Sequence, residues 1–354
     1  MHGITYNDGI FCKWSHSVRH FISSIIVALL GLTVAYYWGG ANGLLMASIL
    51  GLMEISLSFD NAVVNATILK KMSVVWQRRF LTWGMVFAVF GVRFLLPVLI
   101  VATVTGQSLL KVTSMALHNP DEYAHNVQQS HVQISAFGGM YLLLVFMSFF
   151  LQENKSLHWL NWLEKHLAKL GKLESIEVAA ALSALLISQH FLPLGESQAA
   201  IISGIVGIIL YVLVNSLSGL FQNSGQAQNS AHQAGLMSFL YLQVLDASFS
   251  LDGVIGAFAI TRDVVLILLG LTIGAMFVRS LTVFLVRKKM LEEYLYLEHG
   301  AHYAIGALAI LMLTDMSLHV PEWLTGLIGF FFIVFSLWSS VRANKRNKAK
   351  SISA

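Results

Sequence analysis

Cysteine occurs once in this chain, at position 12, so no disulfide framework can form within it and no thiolate cluster can hold zinc or copper. Charge is nearly as scarce. Asp, Glu, Lys and Arg make up 11% of the 354 residues, where soluble domains carry roughly 25%. So small a charged fraction excludes a water-soluble fold with an ordinary surface. What fills the chain instead is apolar: 56% of residues are hydrophobic and the mean hydropathy is +0.70. Runs of about 20 apolar residues, enough to cross a bilayer, fall at 18–38, 42–65, 80–104, 134–151, 176–193, 197–220, 235–260, 264–286, 302–318 and 323–341. The expectation is an all-α polytopic membrane protein of about ten transmembrane helices, one integral membrane domain over 1–354.

Basic residues orient these spans, because Lys and Arg are retained on the cytoplasmic side. With the N-terminus inside, the inner segments collect Lys13 and Arg19; Lys70, Lys71, Arg78 and Arg79; Lys155, Lys165, Lys169 and Lys172; Arg287, Lys288 and Lys289; and Arg342, Lys345, Arg346, Lys348 and Lys350. Only Lys111 and Arg262 fall outside, while Arg93 and Arg279 lie within spans. Both termini are therefore placed in the cytoplasm, in a bacterial-type inner membrane. Topology also explains the net charge of +4, with no nucleic acid as partner. The basic tail RANKRNKAK reads as an anchor at anionic lipid. The first apolar run reads as a helix rather than a signal peptide, since GLTVAYYWGG is a poor cleavage site. The segment 152–175 mixes Trp, Leu and Lys as an interfacial amphipathic helix does. In the polar segment 105–132, His118, His125 and His131 have no common ligand spacing and read as solvated.

Comparing the chain with itself exposes a repeat. EISLSFD at 54–60 returns as DASFSLD at 246–252, with acid, apolar, Ser, apolar, Ser, apolar, Asp in the same order. Gly84 and Arg93 stand nine apart, as do Gly270 and Arg279, and FGGMYLLLVFM from Phe137 resembles AIGALAILMLT from Ala304. Spans two to four thus match spans seven to nine. The offset of five is odd, so the repeat cores 42–151 and 235–318 are expected to face opposite ways across the membrane, as inverted repeats of secondary transporters do around a midplane site.

A charge at the centre of a membrane helix costs around 2.5–3.5 kcal/mol on insertion scales. Glu54, Asp60, Asp246 and Asp252 therefore require partners. Arg93 and Arg279 can form ion pairs with two of them, leaving two negative charges for protonation or for one divalent cation. On a continuous helix Glu54 and Asp60 are about 240° and roughly 9 Å apart. Either the helices are interrupted at SLS and SFS, or each helix gives one acid to a central site and the other to arginine. Ser56 shares a face with Asp60, and Ser248 with Asp252; Ser58, Ser250 and Asn61 add oxygens. A set of carboxylate, amide and hydroxyl groups suits Mg²⁺, Ca²⁺ or Mn²⁺.

SFDNA at 58–62 and SLDGV at 250–254, each followed by a helix with an embedded arginine, resemble the TerC/Alx group of integral membrane proteins, in particular a longer branch of it, from about Ala41 to Thr314. That resemblance implies an inverted-repeat transporter and Mn²⁺ export, with tellurium resistance in older descriptions. By position it makes Asp60, Asn61 and Asp252 the ion ligands, with Glu54 and Asp246 the acids upstream. Gly253 departs from the small polar residue that often follows the second Asp. No permanent cofactor is expected, the divalent cation being substrate and protons a candidate coupling ion.

The rival expectation is a membrane-embedded enzyme, such as a lipid-diphosphate phosphatase using Ser56, Ser58, Asp60 and Arg93. Phosphate chemistry calls for surplus positive charge or glycine amides, whereas acids outnumber arginines here. No GxGD pattern for intramembrane proteolysis occurs. Of the remaining polar residues in spans, Gln189 and His190 read as a helix terminus, Asn65 and Asn215 as interhelical hydrogen bonds, Asp315 as an acid solvated at the interface, and Met53 as packing.

Overall fold

The computed structural model describes residues 21–152, 155, 157–171, 173, 175–223, 227–318 and 320–353, without the side chains of 217–223, 227–234, 251, 252, 259, 322, 323 and 347–353. Cys12, Lys13, Arg19 and Lys172, and the side chains of Asp252, Lys348 and Lys350, lie outside the described residues.

Among the described residues the chain is helical, with no strand. In order it forms α1 (Ile22–Leu57), α2 (Phe59–Leu69), α3 (Val74–Arg79), π-helical stretches Phe80–Gly84 and Phe87–Leu95, and α4 (Leu96–Thr105). Two short helices, α5 (Leu109–His118) and α6 (Pro120–Gln129), occupy the segment expected to be a polar loop. There follow α7 (His131–Phe150), α8 (Asn161–Leu170), α9 (Ile176–Gln189), α10 (Leu194–Asn223), α11 (Ala227–Ile260), α12 (Val264–Arg287), α13 (Met290–Glu293), α14 (Leu297–Asp315) and α15 (Glu322–Ser353). Among the described residues six helical segments are long and apolar enough to cross a membrane: α1, Phe87–Thr105, α7, Leu194–Ser216 of α10, α12, and Leu324–Arg346 of α15. This is a multi-pass membrane protein.

The first of the six is a hairpin. Gly39 and Gly40 leave helical geometry, and Gly40 sits at φ 62° and ψ −148°, a backbone state open to glycine because it has no Cβ. The chain reverses there, so that a Cβ on Gly43 would collide with the Ala35 carbonyl. Both arms run along α12: Ser24 bonds the Met276 carbonyl and Ser280, Gly31 and Gly51 both abut Ile273, and Glu54 lies against Gly274. The two arms correspond to the first two expected spans.

Glycine lets these backbones approach closely, which is how helices associate in lipid. A Cβ on Gly274 would overlap that of Glu54. Gly274→Ala is therefore expected to cost about 1–3 kcal/mol, the usual range for overpacking, and to lower the midpoint of thermal unfolding in detergent. Gly195→Ala, with open space around it, should leave that midpoint within a degree or two.

Among the described residues four apolar clusters form, of which two are large. One gathers Met140, Tyr141, Leu245 and Ile305; the other gathers Leu50, Val101, Tyr123, Ala257 and Leu271. Both α1–α2 and α11 pass from one core to the other, and the acidic motifs fall at the crossing. Trp38 with Asp263, Arg262 with Asp121, and His131 with Asp315 mark one end of the bundle. Lys70, Lys71, Lys155 and the segment 288–298 stand at the opposite end.

Candidate cation site

The helix through the first motif is interrupted once, at Ser58 (φ −102°, ψ 17°), between α1 and α2. The second motif lies inside continuous α11. Glu54 ends α1 and Asp60 begins α2, and the two acids point to different neighbours.

Glu54, 1% exposed, accepts from Arg93 Nη2 at 2.5 Å and from Ser58 Oγ at 3.1 Å. Arg93 extends Nη1 to within 4.0 Å of Asp246 Oδ2 and donates it to the Ala88 carbonyl at 2.9 Å. Asp246 Oδ1 accepts from Asn61 Nδ2 at 2.9 Å. One guanidinium thus serves two carboxylates from different helices. Arg93 reaches them from a π-helical stretch, a register that recurs at functional sites and that apolar periodicity in the sequence does not reveal.

Asp60 stands apart from this network. It is 5% exposed and accepts from backbone N–H groups at the start of its own helix, that of Asn61 at 2.9 Å. Its other oxygen faces α15, 3.5 Å from where a Cβ of Gly329 would be. The N-terminus of α2 favours its negative charge, and no cationic side chain pairs with it among the described residues.

Gly253, the departure noted in the second motif, has a physical reason. A Cβ there would stand 3.1 Å from Glu54 Oε2, so glycine makes room for the acid of the opposite helix. Contacts therefore run both ways between the motifs: Asn61 meets Asp246, and Glu54 meets Gly253.

Several buried oxygens around this core have no hydrogen-bond partner among the described residues: Asn61 Oδ1, Asn65 Oδ1, Gln243 Oε1 and Ser250 Oγ. Asn65, Gln243, Asp246, Arg93 and Arg279 line one cavity of about 30 Å³, space for a water or two by probe-occupied volume. The Asn65 and Gln243 amide oxygens are both buried and without a hydrogen-bond partner among the described residues. For Asn65 this replaces the expected interhelical hydrogen bond at that oxygen, and Gln243 was not singled out by its sequence context.

Other expected residues fall elsewhere. Arg279 donates Nε to the Leu81 carbonyl at 2.8 Å and pairs with no acid among the described residues, so the two arginines are not equivalent. Ser56 is exposed, bonded to the Leu52 carbonyl, and Ser248 bonds the Val244 carbonyl. Asp252 lies outside the described side chains. Among the described residues no group of three His, Cys, Asp or Glu side chains stands ready to hold a metal.

Asp315 is not simply solvated: it takes His131 Nε2 at 2.6 Å and the Val320 N–H. His118 and His125 remain exposed, each bonded within its own helix. Met53 packs on the second apolar core, and Gln189 accepts from Ser197. Glu164, in α8, is a residue that sequence reasoning missed. It is 1% exposed and takes the Trp159 and Leu160 N–H groups and Tyr303 Oη. Two of its partners are the amides at its own helix start, whereas Tyr303 comes from α14, 139 residues away, and no local pattern announces it.

The family model described as "Protein of unknown function (DUF475)" matches residues 59–347. The matched span includes Asp60, Asn61, Arg93 and the whole second motif, and starts just after Glu54 and Ser58. No curated protein and no solved structure matches the chain.

Proposed function

The chain belongs to the DUF475 family, and because that description leaves the activity open, we propose that it is a membrane transporter of a divalent cation, exporting Mn²⁺ from the cytoplasm. The observation that carries this reading is the imbalance of the buried site. Glu54 and Asp246 share one arginine and, among the described residues, Asp60 has no cationic partner and four neighbouring oxygens have no hydrogen-bond partner. Each uncompensated buried ion costs several kcal/mol, and a divalent cation offsets two negative charges at once. Carboxylate, amide and hydroxyl oxygens are the ligands that Mn²⁺ and other hard cations take.

Reciprocity supports two inverted repeats within this fold. Asn61 contacts Asp246 while Gly253, the counterpart of Asn61, contacts Glu54, the counterpart of Asp246; a twofold axis between the motifs pairs residues in this way. The helices follow suit. α1 and α2 pack on α12 as Phe80–Leu95 packs on α11, α2 meets α14 as α11 meets α7, and α7 meets α14. The flanking places are taken by α10 on α7 and α11, and by α15 on α14, α1 and α2, so the offset of five holds for the six core spans and not for those around them.

Ten spans, cytoplasmic termini and kinship with the TerC/Alx group belong to the same proposal, with Lys70, Lys71 and Lys155 at the cytoplasmic end. A phosphatase is disfavoured because Arg93 is already engaged by two carboxylates and the site carries surplus negative charge. In cells overexpressing the protein, retained Mn²⁺ should fall below that of control cells, and Asp60→Asn or Asp252→Asn should restore it. Unchanged metal content with a dephosphorylated lipid product would favour the enzyme instead.

A further inference from the structure

Resting on the transport reading, we propose that Glu298 and His302 form a second cation subsite, a loading position for first-row transition ions in a cavity of about 850 Å³ at the end of the bundle marked by Lys71. Thr67, Ser148, Tyr241, Glu298 and His302 are among the residues that line it. Thr67 lies six residues beyond Asn61 and Tyr241 five before Asp246, so the cavity is roughly 8–9 Å along either helix from the acidic site. Asn65 and Gln243 stand between.

His302 is 8% exposed, and its ring is fixed on two sides. It stacks on Phe149 with centroids 3.6 Å apart and planes 8° from parallel. Lys155 Nζ lies 3.1 Å from the same Phe149 centroid, a distance that places it on the opposite face. His302 Nδ1 is 2.8 Å from the Glu298 carbonyl oxygen. A carbonyl only accepts, so Nδ1 carries the hydrogen, and the neutral ring keeps its lone pair on Nε2. Nε2 has no hydrogen-bond partner among the described residues. Metal-bound imidazoles adopt this arrangement, the second ring N–H donated to a carbonyl that fixes tautomer and orientation.

Glu298 is four residues earlier on the same helix face and supplies a carboxylate. Neutral oxygens of Ser148 and Gln152 line the same space. Lys71 also faces the cavity and opposes prolonged residence of a cation, which suits a position that must release its ion inward. A nitrogen ligand discriminates in a way that the oxygen-rich acidic site does not. Mg²⁺ and Ca²⁺ take oxygen, whereas imidazole favours first-row transition ions, Mn²⁺ being held least tightly among them.

Pulsed electron paramagnetic resonance on Mn²⁺ added to tag-free, full-length protein in detergent tests the subsite. Wild type should show nitrogen-14 modulation that survives a hundredfold excess of Mg²⁺. His302→Phe, which keeps a ring to stack on Phe149, and His302→Gln, which tests a different packing, should both abolish it; Glu298→Gln should weaken the signal-giving affinity at least tenfold. Asp246→Asn and His299→Gln should retain the modulation. No modulation in wild type, or its persistence in both His302 variants, overturns the subsite even where Mn²⁺ flux is found. Modulation lost only with His302, in a protein that moves no Mn²⁺, keeps the subsite and defeats the transport reading.

Discussion

Arg93→Met should be among the most damaging single substitutions in this protein, costing about 3–5 kcal/mol, the usual loss when one partner of a buried ion pair is removed. Two acids lose their counter-charge together, because Glu54 Oε1 stands 2.5 Å from Nη2 and Asp246 Oδ2 4.0 Å from Nη1. Glu54 cannot turn toward water, being enclosed by Gly253 and Gly274. Neutralising the orphaned acids should therefore rescue the fold: Arg93→Met with Glu54→Gln and Asp246→Asn is expected to recover most of the lost stability. Arg279→Met supplies the contrast. It removes a hydrogen bond to a carbonyl, a change of about 0.5–1.5 kcal/mol. Unfolding midpoints of the four proteins in one detergent decide the matter. A wild-type midpoint for Arg93→Met, or no recovery in the triple variant, would refute the structural role given to this arginine.

The second large effect falls on transport. Asp60→Asn and Asp246→Asn should each slow Mn²⁺ movement roughly 10- to 100-fold, the equivalent of losing one charged interaction of about 1.5–3 kcal/mol. Neither should unfold the protein. Asp60 contributes no ion pair among the described residues, so its neutralisation removes a buried charge without stranding a partner. Asp246→Asn leaves an amide oxygen to accept from Asn61 and leaves Glu54 to hold Arg93. Activity and stability thus separate in opposite directions: arginine loss strikes the fold, aspartate loss strikes the cargo.

The sequence carried the helices and the acidic motifs far better than the partners. Apolar runs of membrane length located the helical segments, since burial in lipid constrains every residue of a span. The reversal at Gly39–Gly40 was legible as a break between two runs, although its tightness depends on a glycine backbone state that hydropathy does not register. The doubled motif was visible because its spacing is strict. Which arginine would meet the acids was not visible, because Arg93 and Arg279 both stand alone in apolar spans and the π-helical register around the first leaves no mark in the apolar periodicity. The same limit hid His131 with Asp315 and Glu164 with Tyr303, pairs separated by more than a hundred residues that only tertiary packing brings together. Gly253 looked like a departure from a pattern until the opposite helix supplied its reason.

The most direct measurement is Mn²⁺ flux into liposomes containing the purified protein, followed with an enclosed metal-sensitive dye and repeated with Asp60→Asn and Asp246→Asn. A cation carrier gives saturable Mn²⁺ movement above that of empty liposomes, reduced at least tenfold in both variants while their unfolding midpoints stay near wild type. Flux no greater than in empty liposomes, or flux that both substitutions leave intact, would contradict the assignment of this buried acidic site to cation transport.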